Sequence, residues 1–124
     1  MPNPLNLDKP IEVIRTAQFA PFLNEWVERH NVEHPRNEGK AFQFDPNRVY
    51  GIGGVRYLAN EIVEMTGKSV GHCEKMIREV RNCKNEYTSV MHIDEIITVM
   101  ERPDLWVHLD VIKIGSMTRK LLAA

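Results

Sequence analysis

Between Lys68 and Lys84 the chain carries five cations, Lys68, Lys75, Arg78, Arg81 and Lys84, against two acids, Glu74 and Glu79. Ammonium and guanidinium groups donate hydrogen bonds to phosphate oxygens. Lys75 and Arg78 are long enough to reach the acceptors on a guanine edge. Ser69, Val70, His72 and Glu74 open the same stretch, and Asn82 lies near its end. The chemistry on offer is recognition of an anionic polymer, not bond making.

Other constellations lead nowhere comparable. His30 and His34 stand four apart, a helical metal-ligand spacing, but no cysteine or carboxylate pair completes a set, so no metal is expected. Cys73 and Cys83 lack the C-x-x-C spacing of zinc or redox sites, and Cys73 reads as a small core residue. Gly51-Ile52-Gly53-Gly54 has neither the strand and spacing of a dinucleotide loop nor the lysine of a P-loop. Trp26 and Trp106 read as core or interface anchors. No catalytic set is visible, so neither an enzyme nor a cofactor is expected.

With 124 residues, 43% hydrophobic and 27% charged, the chain suits one globular domain with a modest core. The formal net charge of −1 does not demand a polyanionic partner, so the local distribution of charge carries the argument. No apolar run is long enough for a membrane span, and the start MPNPLNLDKP lacks a signal-peptide pattern, which implies a cytoplasmic protein with reduced cysteines.

Residues 1–16 read as a flexible arm, proline-rich over its first ten positions. Phe19, Phe22, Leu23, Trp26 and Val27 form a helical stripe that predicts a helix from about Gln18 to Asn31, with Pro21 in its first turn. Residues 31–53 read as a long loop. A helix is expected from Gly54 to Met65, stopped by Thr66-Gly67. Ser69 should cap a second, Val70 to Val80, with Cys73, Met76, Ile77 and Val80 inward. Ser89 should cap a third, Val90 to Met100. Asn82 to Tyr87 reads as a polar connector. The alternation of Val107, Leu109 and Val111 predicts a short strand within 105–114, paired with another segment or with a second copy.

Two short helices joined by a tight glycine turn, the second anchored by an apolar stripe and polar outside, are the layout of a helix-turn-helix. The stretch resembles the repressor and Cro type, in particular immunity repressors of temperate actinobacterial phages. The residues that carry the resemblance are Ile62-Val63, Thr66-Gly67, Lys75 with Arg78, Ser89 to Met100, and Asp104-Leu105-Trp106. Upstream, Ala20-Pro21-Phe22 with Trp26, and Gly51-Ile52-Gly53-Gly54, also fit, so the likeness spans residues 17–106. Val63 stands where alanine is usual and Lys68 where an apolar residue is usual, and the second helix is less basic than most.

The resemblance implies an all-α fold, a small helical domain with a repressor-type helix-turn-helix and at most a short C-terminal strand. It implies binding of double-stranded operator DNA, as monomer or homodimer, by Ser69, Val70, His72, Glu74, Lys75, Arg78, Arg81, Asn82 and Lys84. Residues 107–124 form a C-terminal extension. Its end, Leu122-Ala123-Ala124, is similar to the tag that marks stalled nascent chains for Clp-type proteases, which implies a degron. Two other readings stay open: a phage adaptor that binds a protein through Trp106 and 105–114, and an architectural DNA-binding factor for recombination.

Overall fold

A computed structural model describes residues 11–34 and 52–114. The expectations for the arm over 1–10, most of the long loop (35–51) and the tail with Leu122, Ala123 and Ala124 lie outside these residues. The elements in chain order are β1 (Ile11–Arg15), α1 (Thr16–Glu33), α2 (Gly54–Thr66), α3 (Val70–Arg81), β2 (Tyr87–Ser89), α4 (Val90–Met100), a 3-10 helix (Pro103–His108) and β3 (Ile112–Ile114).

The fold is mostly helical, but not all-α. A three-stranded antiparallel sheet, ordered β2-β1-β3, closes one side. Ile11 to Arg15, expected within the arm, is its central strand: Val13 pairs with Ser89 on one edge and with Ile112 on the other. Val13 and Ile14 are both buried, so this segment belongs to the folded body. A strand of five residues with distant partners leaves no local signature, because its hydrogen bonds are all made across the chain. The Thr16 N–H donates to the Glu86 carbonyl at 2.9 Å, and the Thr16 and Thr88 hydroxyls meet at 2.6 Å. That junction fixes where strand turns into helix.

Helix α1 therefore starts before Gln18, and Pro21 lies inside it rather than in its first turn. Pro21 and Ala17 are both exposed, so water can satisfy the carbonyl that a proline leaves without a donor. The buried stripe of Phe19, Leu23 and Val27 meets Leu58, Ala59 and Ile62 of α2, Cys73 and Ile77 of α3, and Ile93, Ile96 and Ile97 of α4 in one core. Each large side chain fully buried there contributes roughly 1.5–3 kcal/mol relative to exposure. Gly54 opens α2 where α1 comes closest: an added Cβ would stand 3.2 Å from the Val27 Cα and carbonyl oxygen.

The C-terminal side keeps only the end of its expected strand. Pro103 opens a 3-10 helix instead, and Leu105 and Leu109, four apart, point inward. Val107 is 81% exposed, so the apparent alternation through it carries no buried face. The strand in this segment is Ile112–Ile114, and it pairs with β1 of the same chain. The expected connector 82–87 likewise ends in a strand, β2, whose last residue, Ser89, caps α4 by accepting from the His92 N–H at 3.3 Å.

Candidate nucleic-acid interface

The turn between α2 and α3 is built from local chemistry. Gly67 has φ +76°, a left-handed conformation that costs glycine nothing, and its N–H donates to the Val63 carbonyl at 2.8 Å. The Thr66 hydroxyl donates to the Ile62 carbonyl at 2.8 Å and accepts from the Lys68 N–H at 3.3 Å. Ser69 then caps α3 by accepting from the His72 N–H at 3.2 Å. Lys68 reaches across to α4, where its Nζ meets Glu95 Oε1 at 2.8 Å. The Glu95 carboxylate is buried, so this ion pair pins the turn to a third helix. A lysine therefore stands here with a partner, where an apolar residue would pack.

Helix α3 presents two faces. Cys73, Met76, Ile77 and Val80 are buried, as the periodicity predicts. Burial pushes the Cys73 thiol above its ordinary pKa, with Lys68 opposing and Glu95 adding. Val70, Gly71, His72, Lys75 and Arg78 are exposed, with Asn82 and Lys84 just beyond the last turn. Gly71 has open space where a Cβ would project. The structure thus brings Ser69, Val70, His72, Lys75, Arg78, Asn82 and Lys84 to one surface around a helix anchored from behind.

Glu74 does not belong to that surface. Its side chain is only 8% exposed and sits between two guanidiniums, Arg56 from α2 and Arg78 one turn on, the latter at 2.8 Å. Its place at the edge of the apolar stripe, within reach of a cation on the neighbouring helix, turns it inward. A buried carboxylate needs such partners in place of its lost hydration. Arg81 is also held: its Nε donates to Asn24 Oδ1 at 2.7 Å, and Asn24 Nδ2 donates back to the Arg81 carbonyl at 3.2 Å. This reciprocal pair ties the end of α3 to α1. Lys84 stands 3.3 Å from Glu79, an exposed contact of little energetic weight.

Arg56 escaped the sequence reading. It sits in the first turn of α2, next to the positive end of the helix dipole, where a cation is unfavourable. That misplacement was the available signal: an arginine there calls for an anion, and Glu74 supplies one. Arg56, Arg78 and Arg81 line one hollow of about 470 Å³ with Asn31 and the glycines at the start of α2. A second hollow, of about 550 Å³, continues past Arg78 to Lys75, Asn82 and Lys84. The two hollows share Arg78, and Glu79 stands among the cations of the second.

Elsewhere, Trp26 stacks on His30 at 5.2 Å and on Tyr57 at 5.9 Å between ring centroids, and these rings line a cavity of about 580 Å³. His30 and His34 lie 4.6 Å apart as tilted rings. Among the described residues no group of three histidines, cysteines or acids is gathered as a metal site requires. No helix among them is long and apolar enough to cross a membrane. Trp106 is half-buried and packs against the main core.

No family model matches the chain, and no curated protein or solved structure matches it.

Proposed function

We propose that this chain is a sequence-specific binder of double-stranded DNA that represses transcription in a temperate phage. The observation that carries the reading is α3 itself: a capped helix, fixed by a buried inner stripe and by the pinned turn, whose outward side bears His72, Lys75 and Arg78. In this reading α3 enters the major groove, Lys75 and Arg78 donate to base edges, and Asn82 and Lys84 meet phosphates. Binding of the promoter excludes polymerase. Glu74 is a positioning residue that holds Arg78, not a reader of bases. The protein needs no cofactor and performs no catalysis.

The adaptor reading depends on Trp106 as an anchor, and its packing against the core weighs against that role. The test is a set of alanine variants in a fluorescence-anisotropy titration with a duplex enriched from a random pool. Lys75→Ala and Arg78→Ala should each weaken binding by ~1–3 kcal/mol, roughly 5- to 150-fold in Kd. Glu28→Ala, exposed on α1, should match the parent. Equal affinity for all three variants rejects α3 as the reading helix.

A further inference from the structure

Helix α3 packs on α1 and α2, the sheet packs on α1 and α4, and a hollow of about 390 Å³ is left between α3 and the sheet. Its floor is apolar: Ile11 and Val13 come from β1, Met76 and Val80 from α3. His72 and Lys75 of α3 and His92 of α4 line it as well. Among the described residues, none of these three side chains has a hydrogen-bond or ion-pair partner. The acid in the same wall, Glu79, already faces Lys84 at 3.3 Å, which leaves the Lys75 ammonium without a carboxylate of its own. Burial holds the His92 imidazole below its ordinary pKa; Lys68 and His72 add to this and Glu95 opposes. An anion in the hollow would favour its proton. An apolar floor with a few converging polar groups is the composition of a small-molecule site. The ammonium and the ring N–H groups are donors, so they select an acid. A bare inorganic anion would leave the floor wet. The ligand that suits both halves carries one carboxylate on an apolar body.

We infer that this hollow binds a small monocarboxylate, with its apolar body on Ile11, Val13, Met76 and Val80 and its carboxylate among His72, Lys75 and His92, and that this ligand competes with the duplex for α3. The site stands without the proposed function; the competition rests on that reading. His72 and Lys75 are exposed on the outward side of α3. A carboxylate that holds them removes two donors from base edges or phosphates. The ligand thereby acts as an inducer, releasing the duplex as its concentration rises.

Two measurements on the full chain test it. The first is an NMR titration of imidazole and methyl signals with benzoate and hexanoate, and with their primary amides as neutral controls, at matched pH and ionic strength. The acids should shift His72, His92, Ile11 and Val13 saturably, and His92 should titrate at a higher pH in their presence. Lys75→Gln should weaken the acids about tenfold, the loss of one charge-assisted hydrogen bond. Ile11→Trp, which fills the floor from the sheet, should abolish the response; His92→Leu reads the site from α4 should that variant fail to fold. No saturable shift from either acid, equal shifts from the amides, or a parent-like response in both Lys75→Gln and His92→Leu overturns the site. The second measurement is the affinity for the enriched duplex with the tighter acid at ten times its own Kd, the ionic strength again held constant. Exclusive binding should raise the apparent duplex Kd about elevenfold in the parent and leave it unchanged in Ile11→Trp. A duplex Kd that does not move in the parent overturns the competition. Saturable binding of the acids by a chain that binds no duplex keeps the site and rejects the competition and the proposed function together.

Discussion

Three glycines in α2, α3 and the turn between them should respond to alanine with different signs, because the structure gives each a different reason to be there. Gly67 has φ +76° and nothing within 4 Å of an added Cβ, so Gly67→Ala meets no clash and carries only the left-handed strain, roughly 1–2 kcal/mol. Gly54→Ala keeps ordinary helical dihedrals but puts a methyl 3.2 Å from Val27 Cα, Cγ1 and O. Two of those atoms are backbone and cannot swing aside, so α1 and α2 must part by a few tenths of an ångström. Overpacking of that kind costs ~1–3 kcal/mol, partly offset by the helical preference of alanine. Gly71→Ala meets open space in a regular helix and should stabilise by ~0.4–1 kcal/mol. Urea unfolding followed by far-UV circular dichroism reads all three. A domain of this size should move its melting temperature by roughly 3–6 °C per kcal/mol. Gly67→Ala as stable as the parent, or Gly71→Ala less stable than Gly67→Ala, would refute the account of the turn.

Other outcomes follow from the same geometry. His92 has its pKa lowered, chiefly by burial, with Lys68 and His72 adding and Glu95 opposing, so the unfolded chain takes its proton first. Stability should be full above pH 6.5 and fall as the pH drops toward the folded value, and His92→Asn should flatten that part of a urea-midpoint profile. Cys83 is exposed and Cys73 buried with a raised pKa, so a thiol reagent should label one cysteine in the folded protein and the second only in denaturant. Two rapidly labelled thiols would contradict the burial of the inner face of α3. Lys68→Ala should strand the buried Glu95 carboxylate and cost ~1–3 kcal/mol, while Lys68→Met combined with Glu95→Leu should recover much of it in a double-mutant cycle. In bacterial cells, aspartate at both Ala123 and Ala124 should lengthen the lifetime if the terminal Leu122-Ala123-Ala124 is a protease signal; equal half-lives in a chase experiment would dismiss it.

Helices α2, α3 and α4 were legible because their ends are written locally. Gly67 stops one, while Ser69 and Ser89 start the others through their own side chains. The inner stripe of α3 followed from its period alone. The sheet was not legible: Ile11–Arg15 pairs with residues more than seventy positions away, and β2 and β3 are three residues each, too short for alternation to register. The segment from Pro103 misled because Leu105, Leu109 and two valines fit a strand period by chance, whereas the buried pair lies at a spacing of four. At the candidate site, the exposed cations were found from charge and spacing. The burial of Glu74 and the part played by Arg56 were missed because each explains the other only once α2 and α3 are packed together. Lys68 was noticed as a departure from the repressor pattern, but its partner, Glu95, stands on a helix whose position sequence spacing does not give.

The central claim is that the outward side of α3 recognises a particular duplex sequence. Repeated selection from a randomised duplex pool with the purified chain at low ionic strength tests it most directly. The account predicts one enriched motif, bound far more tightly than its scrambled counterpart, with preference lost at defined positions in Arg78→Ala. A pool that stays random through successive rounds, or a motif read equally well by Lys75→Ala and Arg78→Ala, would contradict it.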